Sequence, residues 1–189
     1  MRSTTLGLGL AVTLWMSAAN AATLNFVSIT NNNAGDAAAG EAQLTVDVTD
    51  NGGGQVLFTF LNAGPVASSI ARVYFDDEAS LLPATATIIN GTGVTFGAGA
   101  SPGNVPAGNT VDFAATYAAG ANSPPPHKGV NPGESLGLVF ALMGGSDVGD
   151  VLNALAGGQL RIGFHAIAFA SGGSESFVPA RSWRRLLAS

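Results

Sequence analysis

Several stretches of the chain alternate hydrophobic and polar residues, which is the pattern of a half-buried β-strand. In residues 41–50, Leu44, Val46 and Val48 fall on one side of the strand and polar residues on the other. Residues 55–62 repeat this alternation. An Asp-Asn-Gly-Gly-Gly turn separates the two stretches, which together predict a β-hairpin.

Further strand-like stretches follow at similar spacing. They are residues 70–75, 85–89, 94–96, 111–117, 136–142 and 159–170. The glycine-rich residues 97–109 predict a loop. The consecutive prolines within residues 123–133 predict an extended, polyproline-like connection.

One stretch, residues 147–156, has helical periodicity. Its apolar positions share one face of a helix: Val148, Val151, Leu152 and Leu155. Ser146 or Asp147 can cap the start, and the two glycines at 157 and 158 can end it. Many short strands with glycine-rich turns and one helix predict a mainly β fold, an antiparallel β-sandwich of Greek-key or jelly-roll type.

Composition removes several classes of protein. The 189 residues are 47% hydrophobic and 10% charged, with no cysteine and two histidines. A disulfide framework, a thiol nucleophile and a thiolate zinc site are therefore excluded. All 12 acidic residues lie between Asp36 and Glu175, where only three basic residues accompany them. This acidic region is not expected to bind nucleic acid, although it could attract cations.

The first residues have the features of a secretory signal peptide. Arg2 precedes an apolar run over residues 6–16, and Ala-Asn-Ala at 19–21 is a small-x-small cleavage motif. We predict that signal peptidase cleaves residues 1–21 from the chain, between Ala21 and Ala22. The run is too short to cross a membrane, and no second run of 18 or more apolar residues follows. The expected organisation is one β-sandwich domain over residues 22–178, with a disordered basic tail over residues 179–189 and no membrane span in the mature chain.

Three segments resemble exported bacterial proteins that carry the PEP-CTERM sorting signal. They are GEAQLTVDVTDNGGGQVLFTFLNAGPVASSIARVYFDD at residues 40–77, NPGESLGLVF at residues 131–140 and QLRIGFHAIAFASGGSESFV at residues 159–178. The resemblance implies a secreted β-rich domain of unassigned activity, from Gram-negative bacteria that make extracellular polysaccharide. It also implies a tail that begins Val-Pro-Glu-Pro and continues into an apolar segment, which an exosortase-type protease processes. Here Val178 and Pro179 are followed by Ala180 and Arg181, so the sorting function is not carried over.

Asp76, Asp77 and Glu78 are the candidate metal ligands, because carboxylates at a strand end can bind calcium. Adjacent residues of a strand point to opposite faces, however, so we favour the interpretation that they are exposed turn residues.

A second candidate group combines His165 and Glu175 with the neighbouring serines 171, 174 and 176, the residue types of a hydrolase. The chain has no G-x-S-x-G motif, and serine commonly accompanies glycine in loops. His127, among prolines, is predicted to be solvated. We therefore expect no catalytic residue. The glycine-rich residues 51–54 and 97–103 lack a phosphate-binding motif and predict turns.

The preferred hypothesis is a secreted, non-enzymatic protein of the bacterial surface or extracellular matrix, with no cofactor. Extracellular polysaccharide and surface proteins are its expected partners. The alternatives are a carbohydrate- or calcium-binding module, in which Tyr74 and Tyr117 would contact sugar, and a secreted hydrolase.

Overall fold

The structure is a computed structural model that describes residues 21–180. Its ten strands are β1 (Ala21–Ser28), β2 (Leu44–Gly52), β3 (Gln55–Asn62), β4 (Ser69–Asp77), β5 (Thr87–Asn90), β6 (Phe96–Ala98), β7 (Tyr117–Ala121), β8 (Ser135–Ala141), β9 (Leu160–Ile167) and β10 (Glu175–Pro179). Its helices are α1 (Ala34–Gln43), α2 (Pro125–Lys128) and α3 (Val148–Gly157), with a 3₁₀ turn at Gly108–Val111. The residues before Ala21 and after Ala180, with most of the predicted signal peptide and tail, lie outside this range.

All strand pairs are antiparallel, in the order β5-β8-β3-β2-β1-β10-β9-β4-β7-β6. Strand β1 connects the two halves of the sheet. Its first part pairs with β2, for example Leu24 with Val46, and its last part pairs with β10, for example Val27 with Val178. The mainly antiparallel β fold is confirmed, but the sheet is continuous and nearly closed. It resembles a barrel more than a sandwich of two separate sheets, because β1 hydrogen-bonds into both halves.

The predicted hairpin and the predicted helix are confirmed. Strands β2 and β3 pair with Val46 opposite Phe60, and a turn with glycines at positive φ joins them. Helix α3 begins after Asp147, whose side chain accepts from the Asp150 N–H while Asp150 caps it in return. Gly158, at φ 75°, ends the helix.

Some local predictions are wrong. The strand expected at residues 111–117 is a 3₁₀ turn followed by loop, and β7 begins only at Tyr117. Residues 125–128 form a short helix where an extended connection was expected. Helix α1, capped by Asn33, was not predicted. It packs so closely on β10 that a Cβ at Gly40 would lie 2.1 Å from the Phe177 ring.

The apolar side chains form two clusters, one inside the sheet and one outside it. The inner cluster is rich in phenylalanine, and its fully buried members include Phe58, Phe75 and Phe164. The outer cluster consists of Tyr74, Val105, Val111, Phe113 and Val178. Residues 99–116, here called the outer loop, supply Val105, Val111 and Phe113 and cover the outer face of β4, β9 and β10. Within residues 21–180 no helix has the length and apolarity needed to cross a membrane.

Candidate functional site

Four charged or titratable side chains lie on the outer face of β4 and β9. The register of these strands pairs Asp76 with Arg161 at one end and Arg72 with His165 at the other. Tyr74 and Gly163 pair between them. Each end therefore carries one arginine, with a different residue opposite it.

At the first end, Arg161 ties the outer loop to the sheet. Its guanidinium is paired with the Asp76 carboxylate and donates to the carbonyls of Val111 and Asp112. It also lies 5.5 Å from the centre of the Phe113 ring. Asp76 in turn accepts from the Ala114 N–H at 3.1 Å. Because both charged side chains are nearly buried, this pair and its hydrogen bonds hold the loop over the outer cluster.

The acidic triplet does not converge on one point. Asp76 contacts Arg161, whereas Asp77 accepts from the Leu82 N–H at 2.7 Å. Glu78 lies 3.6 Å from Arg161, with half of its side chain exposed. The expectation of exposed turn residues is wrong for Asp76 and Asp77, which are 3% and 7% exposed. Within residues 21–180 no group of three histidine, aspartate or glutamate side chains is arranged to hold a metal ion.

At the second end, Arg72 lies beside His165. His165 Nδ1 is 3.1 Å from Ser176 Oγ on β10. Burial, and then the charge of Arg72, lower the pKa of His165 to about 4, so the imidazole is neutral at pH 7. Arg72 follows a β-bulge at Ala71, which redirects the strand at this point. Among residues 21–180 no carboxylate lies within ion-pair distance of Arg72.

Glu175 is completely buried and faces away from His165. Its carboxylate accepts from the hydroxyls of Ser28 and Thr30 and from the Asn33 N–H at 2.7 Å. Burial alone would raise the pKa of Glu175, but these hydrogen bonds outweigh it and the pKa is lowered. The carboxylate therefore holds the segment between β1 and α1 against β10.

The residues of a hydrolase are near one another in sequence but are not arranged as one. Ser176 contacts His165 but has no exposed surface, and Glu175 lies on the opposite face of β10. Ser171 donates to Asp36 on α1, and the Ser174 carbonyl accepts from the Asn32 amide. His127 is exposed on α2, as expected of a solvated residue.

The tyrosines do not form an exposed platform for sugar. Tyr74 is fully buried, and its hydroxyl donates to the Pro102 carbonyl at 3.1 Å. Burial raises its pKa to about 12. Tyr117 is 7% exposed, and burial raises its pKa as well. Both rings belong to the packing of the protein.

A buried polar network was missed by the sequence analysis. The Gln43 amide donates to Asn62, to Ser68 and to the Val66 carbonyl. Asn62 donates onward to Ser68 and to the Val130 carbonyl. These bonds hold the connection between β3 and β4. No spacing rule marks the three residues, because they meet only when the strands pair.

The residues around the predicted cleavage position are in β1, at the edge of an open groove. Ala21 pairs with Thr49, and Ala22 lines the groove together with Leu24, Leu152 and Leu155. No protein-family model, curated protein or solved structure matches the chain.

Proposed function

We propose that the chain is an exported, non-enzymatic protein of the bacterial cell surface or extracellular matrix, related to PEP-CTERM-type proteins. The observation that supports this most is the use of its reactive side chains as structural ties. Asp76 and Arg161 hold the outer loop, and Glu175 holds the segment before α1. Ser176, the serine next to a histidine, is completely buried.

Catalytic groups need access to substrate and a free pair of electrons or a proton at the site of reaction. The carboxylate of Glu175 has three donors from this chain, and that of Asp76 accepts from a guanidinium and a backbone N–H. These hydrogen bonds stabilise the fold and leave the two carboxylates little freedom to react with a substrate. This supports a binding or structural role for the protein.

Export is the second part of the proposal. Signal peptidase would remove residues 1–21 and leave Ala22 at the amino terminus. An exported protein without cysteine cannot be stabilised by disulfides. Here the fully buried phenylalanines and the hydrogen bonds of Asp76, Arg161 and Glu175 stabilise the fold instead. Extracellular polysaccharide and surface proteins remain the proposed partners, and nucleic acid and cofactors are not among them.

The test is expression of the full chain in a Gram-negative host, followed by fractionation and mass spectrometry of the amino terminus. We expect Ala22 as the first residue of the exported protein. The control is Ala21→Leu, since a leucine before the cleaved bond is a poor signal-peptidase substrate. Ala21 is exposed in β1, so the fold should tolerate the change. Exported protein that retains Met1 in the unsubstituted chain would contradict the proposal.

Enzymatic activity is tested separately, by screening the purified exported protein against ester and glycoside substrates. We expect no turnover above that of Ser176→Ala. Turnover that this substitution abolishes would support the hydrolase alternative, and glycan binding in an array would support the carbohydrate-binding alternative.

A further inference from the structure

The β4–β9 pair contains two arginines on one face, and only one of them has a counterion in the part of the chain that the structure describes. Arg161 lies opposite Asp76 and pairs with it. Arg72 lies opposite His165, and among residues 21–180 its guanidinium has neither an ion pair nor a hydrogen bond. This is unexpected in a region where three basic residues accompany twelve acidic ones.

The neighbouring strands explain why no carboxylate of the described residues neutralises Arg72. Glu175, on the strand next to His165, directs its carboxylate to the other face and into three hydrogen bonds. On β7, the strand on the other side of β4, the residue opposite Arg72 is Gly120, which has no side chain that could pair with it. Arg72, a half-buried residue, therefore has unused N–H donors beside the imidazole of His165.

We infer that Arg72 and His165 form a binding site for a single carboxylate group on the outer face of the sheet. The planar guanidinium supplies two parallel N–H donors, which match the two oxygens of a carboxylate. His165 is fixed beside it by the contact of Nδ1 with Ser176 Oγ at 3.1 Å. The bulge at Ala71 sets the direction of Arg72.

The charge of the region selects the kind of anion. Residues 36–175 contain 12 acidic and three basic residues, so an anion of higher charge is repelled more strongly than a small monovalent carboxylate. The predicted ligand is therefore a carboxylate on a small molecule. This inference does not depend on the proposed location of the protein.

The experiment is an NMR titration of the purified full chain with sodium acetate at pH 7, against sodium chloride at equal ionic strength. The imidazole C–H signal of His165 reports on the site. His127, the other histidine of the chain, is the internal reference, because it is exposed on α2. We expect the His165 signal to shift and saturate with a millimolar Kd, typical of so small a ligand, while His127 stays unchanged.

Three variants test the assignment. Arg72→Gln should weaken acetate binding by about tenfold or more, since a charge-assisted bond pair is lost. Arg72→Lys keeps the positive charge but lacks the two parallel N–H donors of a guanidinium, so it should bind acetate with an intermediate Kd. Lys128→Gln removes a different basic residue and should bind as the unsubstituted chain does. If Arg72→Gln proves unfolded by near-UV circular dichroism, the comparison of Arg72→Lys with Lys128→Gln decides.

Several outcomes would overturn the inference. They are equal shifts with acetate and chloride, equal acetate binding by the unsubstituted chain and all folded Arg72 variants, and tighter binding of sulfate than of acetate. The last result would indicate a general anion site and not one for a carboxylate.

Discussion

The two ends of the β4–β9 pair present the same side chain in two environments. Arg161 is enclosed by a carboxylate, two backbone carbonyls and an aromatic ring. Arg72 has a neutral histidine opposite it and no counterion among residues 21–180. The difference separates a structural arginine from one that is available to a ligand. It arises from two sources, since β4 places Asp76 opposite Arg161 and the outer loop adds the two carbonyls and the ring of Phe113.

The comparison predicts its largest effect at Arg161. Arg161→Met should lower the free energy of unfolding by about 3–5 kcal/mol, because Asp76 is left buried without its cation. Urea unfolding measures this loss. Arg72→Met, the matched control, should cost less than about 1 kcal/mol because it breaks no ion pair within residues 21–180. Adding Asp76→Asn to Arg161→Met should recover part of the lost stability. If Arg161→Met and Arg72→Met lowered the free energy of unfolding equally, the two arginines would not differ in structural role.

A smaller effect is expected at Glu175, the carboxylate beside the Arg72 end. Glu175→Gln should lower the free energy of unfolding at pH 7 by about 2–3 kcal/mol. The amide N–H₂ would replace one of the two oxygens that accept from Ser28, Thr30 and Asn33, so a donor would face donors. The folded pKa lies below the ordinary 4.5, so this stabilisation is present above that pH and is lost as the pH falls through the folded value. Urea unfolding at pH 7 and at pH 3 should show that the stability difference between the unsubstituted chain and Glu175→Gln shrinks in acid. A stability difference that does not change with pH would contradict this role of the carboxylate.

His165 provides a pH test of the Arg72 end. Its pKa falls from 6.5 to about 4 on folding, so the unfolded chain binds the proton first and stability decreases from pH 6.5 toward pH 4. His165→Gln should reduce this slope. Arg72→Gln should also reduce it, because loss of the neighbouring charge raises the folded pKa. The thermal midpoint measured over this range is the readout, and unchanged slopes in both variants would contradict the assignment.

Glu78 tests how much of the Arg161 end depends on exposed charge. Glu78→Gln should change the free energy of unfolding by less than about 0.5 kcal/mol, because half of this side chain is exposed and its charge lies 3.6 Å from Arg161. A loss comparable to that of Arg161→Met would show that the exposed carboxylate, and not Asp76, dominates the pair.

Calcium should have the smallest effect. Millimolar calcium chloride is expected to leave the thermal midpoint unchanged relative to magnesium chloride, since Asp76 and Asp77 are engaged with other groups of the chain. A calcium-specific increase that Asp76→Asn and Asp77→Asn abolish would restore the triplet as a metal site.

Much of the fold was predictable because its signals are local. The alternation in residues 41–50 and 55–62 requires one buried face, and the glycine turn brings the strands together. The stripe and caps of residues 147–156 likewise define helix α3. Residues 111–117 were misread because Val111 and Phe113 are apolar for another reason: they pack on the outside of the sheet from a loop.

The sequence by itself determined the antiparallel β character, the hairpin, the helix and the acidic composition, since each follows from neighbouring residues. Only the tertiary structure decided that β1 joins both halves of the sheet and that Asp76 meets Arg161, 85 residues away. It also decided that Arg72 meets no carboxylate of residues 21–180. Pairing across such separations depends on strand order and register, which local periodicity does not encode.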